Sequence, residues 1–382
     1  MPSPQRRTFA GLLALSSITA ALALGAARRE GVTRTYYIAA DEVEWDYAPT
    51  GRDEMMGHAI DSAEMSVGNG PAGIASRFLK ARYREYTDSS FRTLKPIPPE
   101  WRHLGIMGPL LRAEVGDTIR VVFRNHARRP FSMHPHGVFY DKASEGAPYA
   151  DGTSGTDRAD DAVPTGGTHV YLWPVPERAG PGPGDPSSIL WAYHSHAHEW
   201  RDVSAGLIGP IVVMRRGEMT ASGRPRGVDR EFVTLFGVFN ENDGSFTAEN
   251  LKRYTGDTLR TTKAGPITFS GVGYQSINGY VYGNLPLATM RMRQGEHVRW
   301  YVFSATTADD FHSPHWHGGT VLTNGQRTDV LSLAVPLQMI TADMVADAPG
   351  IWMLHCHVAD HMAAGMTARF EVMPGRGAGP QS

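Results

Sequence analysis

The chain has 382 residues, with 37 lysines and arginines against 39 aspartates and glutamates and a net charge of −2. That near balance, without a long basic run, excludes a nucleic-acid surface built on bulk positive charge. The length asks for two domains rather than one, and 42 glycines and 26 prolines with few long amphipathic patterns favour short strands joined by turns.

Residues 1–30 read as a removable export signal rather than a fold element. Arg6-Arg7-Thr8-Phe9 resembles a twin-arginine motif, an apolar stretch runs from Ala10 to Leu24, and small residues follow to Ala27. The other reading is a membrane anchor. The stretch is short and carries Ser16, Ser17 and Thr19, which favours cleavage and no membrane span afterwards. Delivery by this route, which carries folded proteins, places the protein in the periplasm or outside the cell. Exported chains often hold disulfides. The only cysteine, Cys356, cannot form one internally, which suits a thiol kept for metal.

Residues 72–86 read as a short surface helix or an extended arm, and 174–188 as an irregular surface loop. Ile208–Val213 and Phe232–Phe239 are apolar runs of the kind that form buried strands. Arg215 to Arg230 reads as a linker, and residues 375–382 as a disordered tail.

Ten of the sixteen histidines fall in four clusters. These are His134-Pro-His136-Gly, Tyr-His194-Ser-His196, Phe-His312-Ser-Pro-His315-Trp-His317-Gly and His355-Cys356-His357 with His361 and Met366 beyond. In an extended strand neighbouring side chains point to opposite faces. Cys356 therefore faces one way and His355 and His357 the other. A thiolate, an imidazole four residues beyond His357 and a weak thioether match a blue-copper electron-transfer site. The two flanking imidazoles then serve a second copper site, one residue's backbone away.

The chain also repeats itself. Gly116-Asp117-Thr118-Ile119 matches Gly295-Glu296-His297-Val298 at an offset of 179, His134-Pro-His136-Gly matches His315-Trp-His317-Gly at 181, and His194-Ser-His196 matches His355-Cys-His357 at 161. Two copies of one domain follow, about 33–215 and 230–374. The first copy has lost the blue-copper donors. Phe131, Ser195, Trp200 and Leu207 stand opposite His312, Cys356, His361 and Met366. The electron-accepting copper therefore belongs to the second copy alone. His198, near the erased site, reads as structural or solvated.

These four clusters resemble the copper motifs of multicopper oxidases, and the chain is most similar to the ceruloplasmin and hephaestin type. The likeness extends to stretches without donors, among them Tyr83–Arg92, Gly108–Asp117, Gly137–Tyr149 and Ser276–Pro286. It implies an all-β chain of two cupredoxin-like Greek-key β-sandwich domains. It implies a type 1 copper on His312, Cys356 and His361 with Met366 as axial ligand, whose thioether gives a lower potential than a leucine there. It implies a type 2 copper on His134 and His315, and a type 3 pair on His136, His194, His196, His317, His355 and His357. The activity implied is four-electron reduction of O2 to water. Asp151, Asp157, Asp160 and Asp161 are candidate proton relays.

Those eight histidines divide four and four between the domains. By likeness to small two-domain laccases, this implies a head-to-tail homotrimer with clusters between subunits, a heterologous ring that closes. The reductant is a small molecule, a phenol or a metal ion. Asp360 matches the position of an iron-site acid in ceruloplasmin-type domains, and Asp309 and Asp310 precede His312, so Fe2+ is one expectation. A laccase-like cleft for phenols is the other. A copper nitrite reductase also has two cupredoxin domains but needs no set of eight histidines. A non-catalytic copper-binding module, like the oxidase-derived domains of clotting factors, needs no intact cluster.

Overall fold

The computed structural model describes residues 31–61, 65, 67–68, 75–256, 261–262, 265–266, 268–269, 273–305 and 311–375. The expected export signal, the tail beyond residue 375, and Asp309 and Asp310 lie outside the described residues.

The repeat seen in the sequence returns as one strand order used twice. In the first half the strands are β1 (Thr33–Asp46), β2 (Arg77–Tyr86), β3 (Leu111–Glu114), β4 (Thr118–Asn125), β5 (His134–Pro135), β6 (Thr168–Pro174), β7 (Ser188–His194) and β8 (Ile208–Met214). They form two sheets, β2-β1-β4-β6 and β3-β8-β7-β5. In the second half they are β9 (Arg230–Phe239), β10 (Tyr274–Ile277), β11 (Arg291–Arg293), β12 (His297–Ala305), β13 (Pro314–Trp316), β14 (Val321–Thr323), β15 (Gln326–Thr328), β16 (Met339–Val345), β17 (Gly350–Cys356) and β18 (Thr367–Met373). Their sheets run β10-β9-β12-β16-β14-β15 and β11-β18-β17-β13. With β14, β15 and the two-residue strands outside these four sheets set aside, each strand has its counterpart in the same place. The fold is all-β, a pair of cupredoxin-type sandwiches.

The two apolar runs are strands buried on both faces, which is why they do not alternate with polar residues. Along β8, Ile208, Val212 and Met214 enter a core shared by both halves, while Ile211 and Val213 enter the core of the first sandwich. Along β9, Val233, Leu235 and Phe239 join the shared core, and Phe232, Phe236 and Val238 fill the second sandwich. Period-two geometry thus sorts one strand's residues between two cores. Polar ties cross the same seam. Arg112 makes a forked pair with Glu231, Nη2 to Oε2 at 2.8 Å, and Ser188 Oγ meets Tyr301 OH at 2.6 Å.

The expectation for residues 72–86 is corrected. Residues 77–86 are neither a surface helix nor an arm but β2, paired antiparallel with β1 from Asp46 opposite Arg77 to Tyr37 opposite Tyr86. Four basic residues make the segment look solvated. Yet Lys80 is 1% exposed, because Glu241, Tyr47 and the Ser204 carbonyl receive its ammonium inside the shared core. A buried ammonium is tolerated only when paired and hydrogen-bonded in this way.

Candidate metal centres

Strand β17 ends at Cys356, and its alternation separates the two expected sites. Leu354 and Cys356 point into the core of the second sandwich, while the His355 ring packs against His315, His317 and His357 outside it. Strand β13 lies alongside, with Pro314 opposite Cys356 and His315 opposite His355. The short helix α1 (Ala359–Ala363) after this strand carries His361 back to the sulfur.

His312, Cys356 and His361 converge. The two Nδ1 atoms are 3.1 Å apart, and Cys356 Sγ lies 3.9 Å from that of His312 and 3.6 Å from that of His361. All three side chains are buried, the cysteine completely. The Ser313 N–H points at Sγ at 3.3 Å, a donor that favours the thiolate. Met366 is fully buried in the same core, and its carbonyl accepts the Cys356 N–H at 3.1 Å. Two imidazole nitrogens and a sulfur within bonding reach of one point are a donor set that suits copper.

The other eight histidines form two quartets, one on each sandwich. In the first, β5 and β7 set His134 opposite His194. His136 Nε2 and His194 Nε2 are 3.0 Å apart, and the His134 and His196 ring centroids 5.2 Å apart. In the second, His317 Nε2 and His355 Nε2 are 3.2 Å apart, and the His315 and His357 centroids 5.4 Å apart. Among the described residues no ring contact joins the two quartets.

Hydrogen bonds fix which nitrogen four of the rings present. His134 Nδ1 donates to the Glu145 carbonyl at 2.7 Å, and His315 Nδ1 to that of Asp329 at 2.9 Å. His194 Nδ1 donates to the Ser195 carbonyl at 3.0 Å, and His355 Nδ1 to that of Cys356 at 2.7 Å. Each leaves Nε2 for a metal, the arrangement that orients ligating imidazoles generally. Burial pulls His136 down to about 4 and His194 to about 3, and lowers His134, His317 and His355 as well. Neutral rings are the form that binds metal.

Glycines hold both quartets in place. Gly137 and Gly318, each following a His-x-His pair, have φ of +73° and +67°. A Cβ there would sit 2.0 Å from Trp191 and 2.4 Å from Trp352. The left-handed conformation and the close indole both require glycine.

In the first sandwich the positions opposite the Cys356 site keep a similar scaffold without metal donors. Phe131, Ser195 and Leu207 are buried, and Trp200 is 54% exposed. The Ser132 N–H points at Ser195 Oγ at 3.1 Å, as Ser313 does at Cys356. Asp202 fills the polar void, accepting Ser195 Oγ at 2.7 Å, Ser245 Oγ at 2.9 Å and the His198 N–H at 2.9 Å.

Of the candidate relay acids, Asp160 is fully buried, and burial raises its pKa. It accepts the Gly146 N–H, next along the backbone from the carbonyl that holds His134. Asp151 pairs with Lys142 at 2.9 Å and Asp161 with Arg158 at 3.3 Å, and Asp157 is exposed. Sequence reasoning missed Glu199, whose carboxylate lies 3.2 Å from His196 Nε2 and 3.9 Å from His194 Nε2. The signal was available: the 161-residue offset puts Glu199 opposite Asp360. Asp360 itself is exposed, in the first turn of α1 beside buried His361.

Multicopper oxidase family models match residues 105–218 and 248–376, one over each set of histidine clusters. The chain belongs to the multicopper oxidase family, and copper is the cofactor that membership implies. Within the family it is of the ceruloplasmin and hephaestin type. It is similar to Ferroxidase HEPHL1 of Mus musculus, 42% identical over 353 residues, covering 91% of this chain and 30% of that protein. Hephaestin of Homo sapiens is 39% identical (90% of this chain, 30% of the relative), and Ceruloplasmin of Ovis aries 38% (89% and 32%). The chain thus spans about a third of the length of these relatives. Two solved structures share the fold. A multicopper oxidase aligns at TM-score 0.55 and 20% identity over 89% of both chains. A copper nitrite reductase from Nitrosomonas europaea aligns at 0.55 and 17% over 92% of this chain and 96% of that one. Among the described residues no helix is long and apolar enough to cross a membrane.

Proposed function

We propose that the protein is an oxidase that draws single electrons from a small reductant at the Cys356 site and uses them to reduce O2 to water at the histidine quartets. The observation that carries this is the junction at the end of β17, where one residue serves the sulfur site and its neighbours serve the quartet. His312, Cys356 and His361 would hold a type 1 copper, with Met366 axial. His134 and His315 would hold the type 2 copper, and His136, His194, His196, His317, His355 and His357 the type 3 pair. When bound, copper supplies one-electron redox chemistry at the sulfur and four-electron dioxygen chemistry at the quartets.

The chain's own part is positioning and protonation state. The Cys356 backbone joins the sulfur to His355 and His357 covalently, and the His355 Nδ1–H closes a second link to the Cys356 carbonyl. Carbonyl acceptors aim Nε2 outward from each quartet, and burial favours the neutral ring at His134, His136, His194, His317 and His355. The Ser313 N–H stabilises negative charge on Sγ.

Among the described residues the two quartets make no ring contact with each other. This supports a head-to-tail homotrimer in which the His134 quartet of one copy completes the His315 quartet of the next. Exposed Phe139 and Tyr140 beside the first quartet and Val330 near the second give that contact an apolar component. Light scattering tests it: a monomer with full turnover refutes the ring.

The relative named Ferroxidase HEPHL1 favours Fe2+ as the reductant, and exposed Asp360 beside His361 would be its oxygen ligand. Phe311, 54% exposed and adjacent to His312, favours a phenol instead. Measuring kcat/KM for both in wild type and Asp360→Ala separates these. An iron role predicts a selective loss for Fe2+, and equal effects on both substrates contradict it. Export by the twin-arginine route to the periplasm or beyond completes the proposal, and Arg6→Lys with Arg7→Lys, expected to leave the protein in the cytoplasm, tests it.

A further inference from the structure

A cleft of about 600 Å³ opens on the first sandwich between β2, the strap of residues 94–104 and the segment leading into β3. None of the residues lining it belongs to the copper sites. Its walls are apolar, with Leu94, Ile97, Trp101 and Leu110 among them, yet five of its side chains are cationic against one carboxylate.

Most of that charge is already matched. Arg112 is forked onto Glu231 and lies over the Trp101 ring at 4.9 Å. Arg84 pairs with Asp41 at 3.4 Å, and Lys95 with Glu85, the one acid of the lining, at 2.8 Å. Two cations are left over. Among the described residues Arg102 makes no ion pair or side-chain hydrogen bond. Arg82 uses only its Nε, which donates to the Met107 carbonyl at 3.0 Å. Burial pulls Arg82 down to about 10, and the titratable groups that act on it are Tyr280, Arg84 and Tyr193, with no carboxylate among them. A desolvated cation without an anion is costly, and a guanidinium presents a planar fork suited to a carboxylate.

We propose that this cleft binds a small organic anion, a carboxylate carried on a flat apolar body. The carboxylate would meet the free edge of Arg82 and the Arg102 guanidinium, and the body would lie against the Trp101 and Ile97 wall. This ligand chemistry follows from the wall itself. An inorganic anion would leave the apolar surface wet, and a neutral hydrophobe would leave Arg82 uncompensated.

The test is calorimetric titration of the copper-loaded full chain with 2-naphthoate and with its neutral counterpart 2-naphthalenemethanol. Naphthoate is expected to bind at one site per chain, and the alcohol at least tenfold more weakly. Charge-assisted hydrogen bonds of this kind put the loss in Arg82→Gln at about tenfold or more. Arg102→Ala, at an exposed position without partners, is expected to lose several-fold with its visible spectrum unchanged, and it decides the matter should Arg82→Gln fail to fold. Equal binding of alcohol and acid, no binding of either, or naphthoate binding undiminished in both variants overturns the proposal. The last outcome would place the anion elsewhere, copper included.

Discussion

His103 clamps the two sandwiches together, and its chemistry sets how the molecule responds to acid. The ring is fully buried. Its Nδ1 donates to the Glu100 carbonyl at 2.7 Å, and its Nε2 accepts the Val233 N–H of β9 at 3.0 Å. The Nε2 bond requires the neutral ring, since a proton there would face the Val233 donor, while the Nδ1 bond survives protonation and opposes the shift. Burial accordingly pulls His103 from its ordinary 6.5 down to about 4. The sign follows. Between pH 6.5 and 4 the unfolded chain takes up a proton that the folded chain refuses. The stability from this group is therefore whole above pH 6.5 and drains away as pH falls towards 4. At 1.36 kcal/mol per pH unit that interval is about 3 kcal/mol, an upper figure. Burial lowers His134, His136, His194, His317 and His355 as well, so the readout is a difference. Guanidinium unfolding of chelator-treated wild type and His103→Gln is compared at pH 7.5 and pH 4. The variant is expected to be less stable at pH 7.5 by about 1–3 kcal/mol, for the lost partner of Val233. It should then lose about 3 kcal/mol less than wild type on acidification. Parallel losses in the two proteins would refute the argument.

Three further perturbations follow from contacts in the same framework. Lys80→Met leaves Glu241 buried without its cation, which should cost about 3–5 kcal/mol in chemical denaturation. Gly318→Ala drives a Cβ onto Trp352 in a left-handed backbone. It should cost about 1–3 kcal/mol and lower the copper content by analysis of the purified protein. Ser195→Cys restores a sulfur to the first sandwich but no imidazoles, since Phe131 and Trp200 stand where they would be needed. Copper per chain and blue absorbance should stay at the wild-type level, and a doubled blue band would contradict the account of the erased site.

Much of this was legible in the sequence because metal donors are sparse and fixed in spacing. Cys356 between two histidines, read with strand alternation, foretells both the buried sulfur and the outward quartet. The repeat foretells two sandwiches of one strand order, and also what Phe131 and Ser195 replace. Long-range compensation is what spacing does not carry. β2 reads as a solvated arm because Glu241, which receives Lys80, lies 161 residues away. Asp202 as the filler of the emptied pocket depends on Ser195 and Ser245 meeting in space. The repeat places Glu199 opposite Asp360, but its contact with His196 arises only where the fold turns α2 (Glu199–Ala205) towards that ring. The shared core, finally, depends on which face of each strand meets the other half, and an unbroken apolar run gives no clue to that.

If one sulfur gates all electron flow, O2 uptake by copper-loaded Cys356→Ser beside wild type will show it, each checked for copper content and visible absorption. The account predicts a variant that keeps its other coppers, lacks the intense blue band and consumes O2 at a rate near background with either Fe2+ or a phenol. A blue variant with wild-type turnover would contradict it.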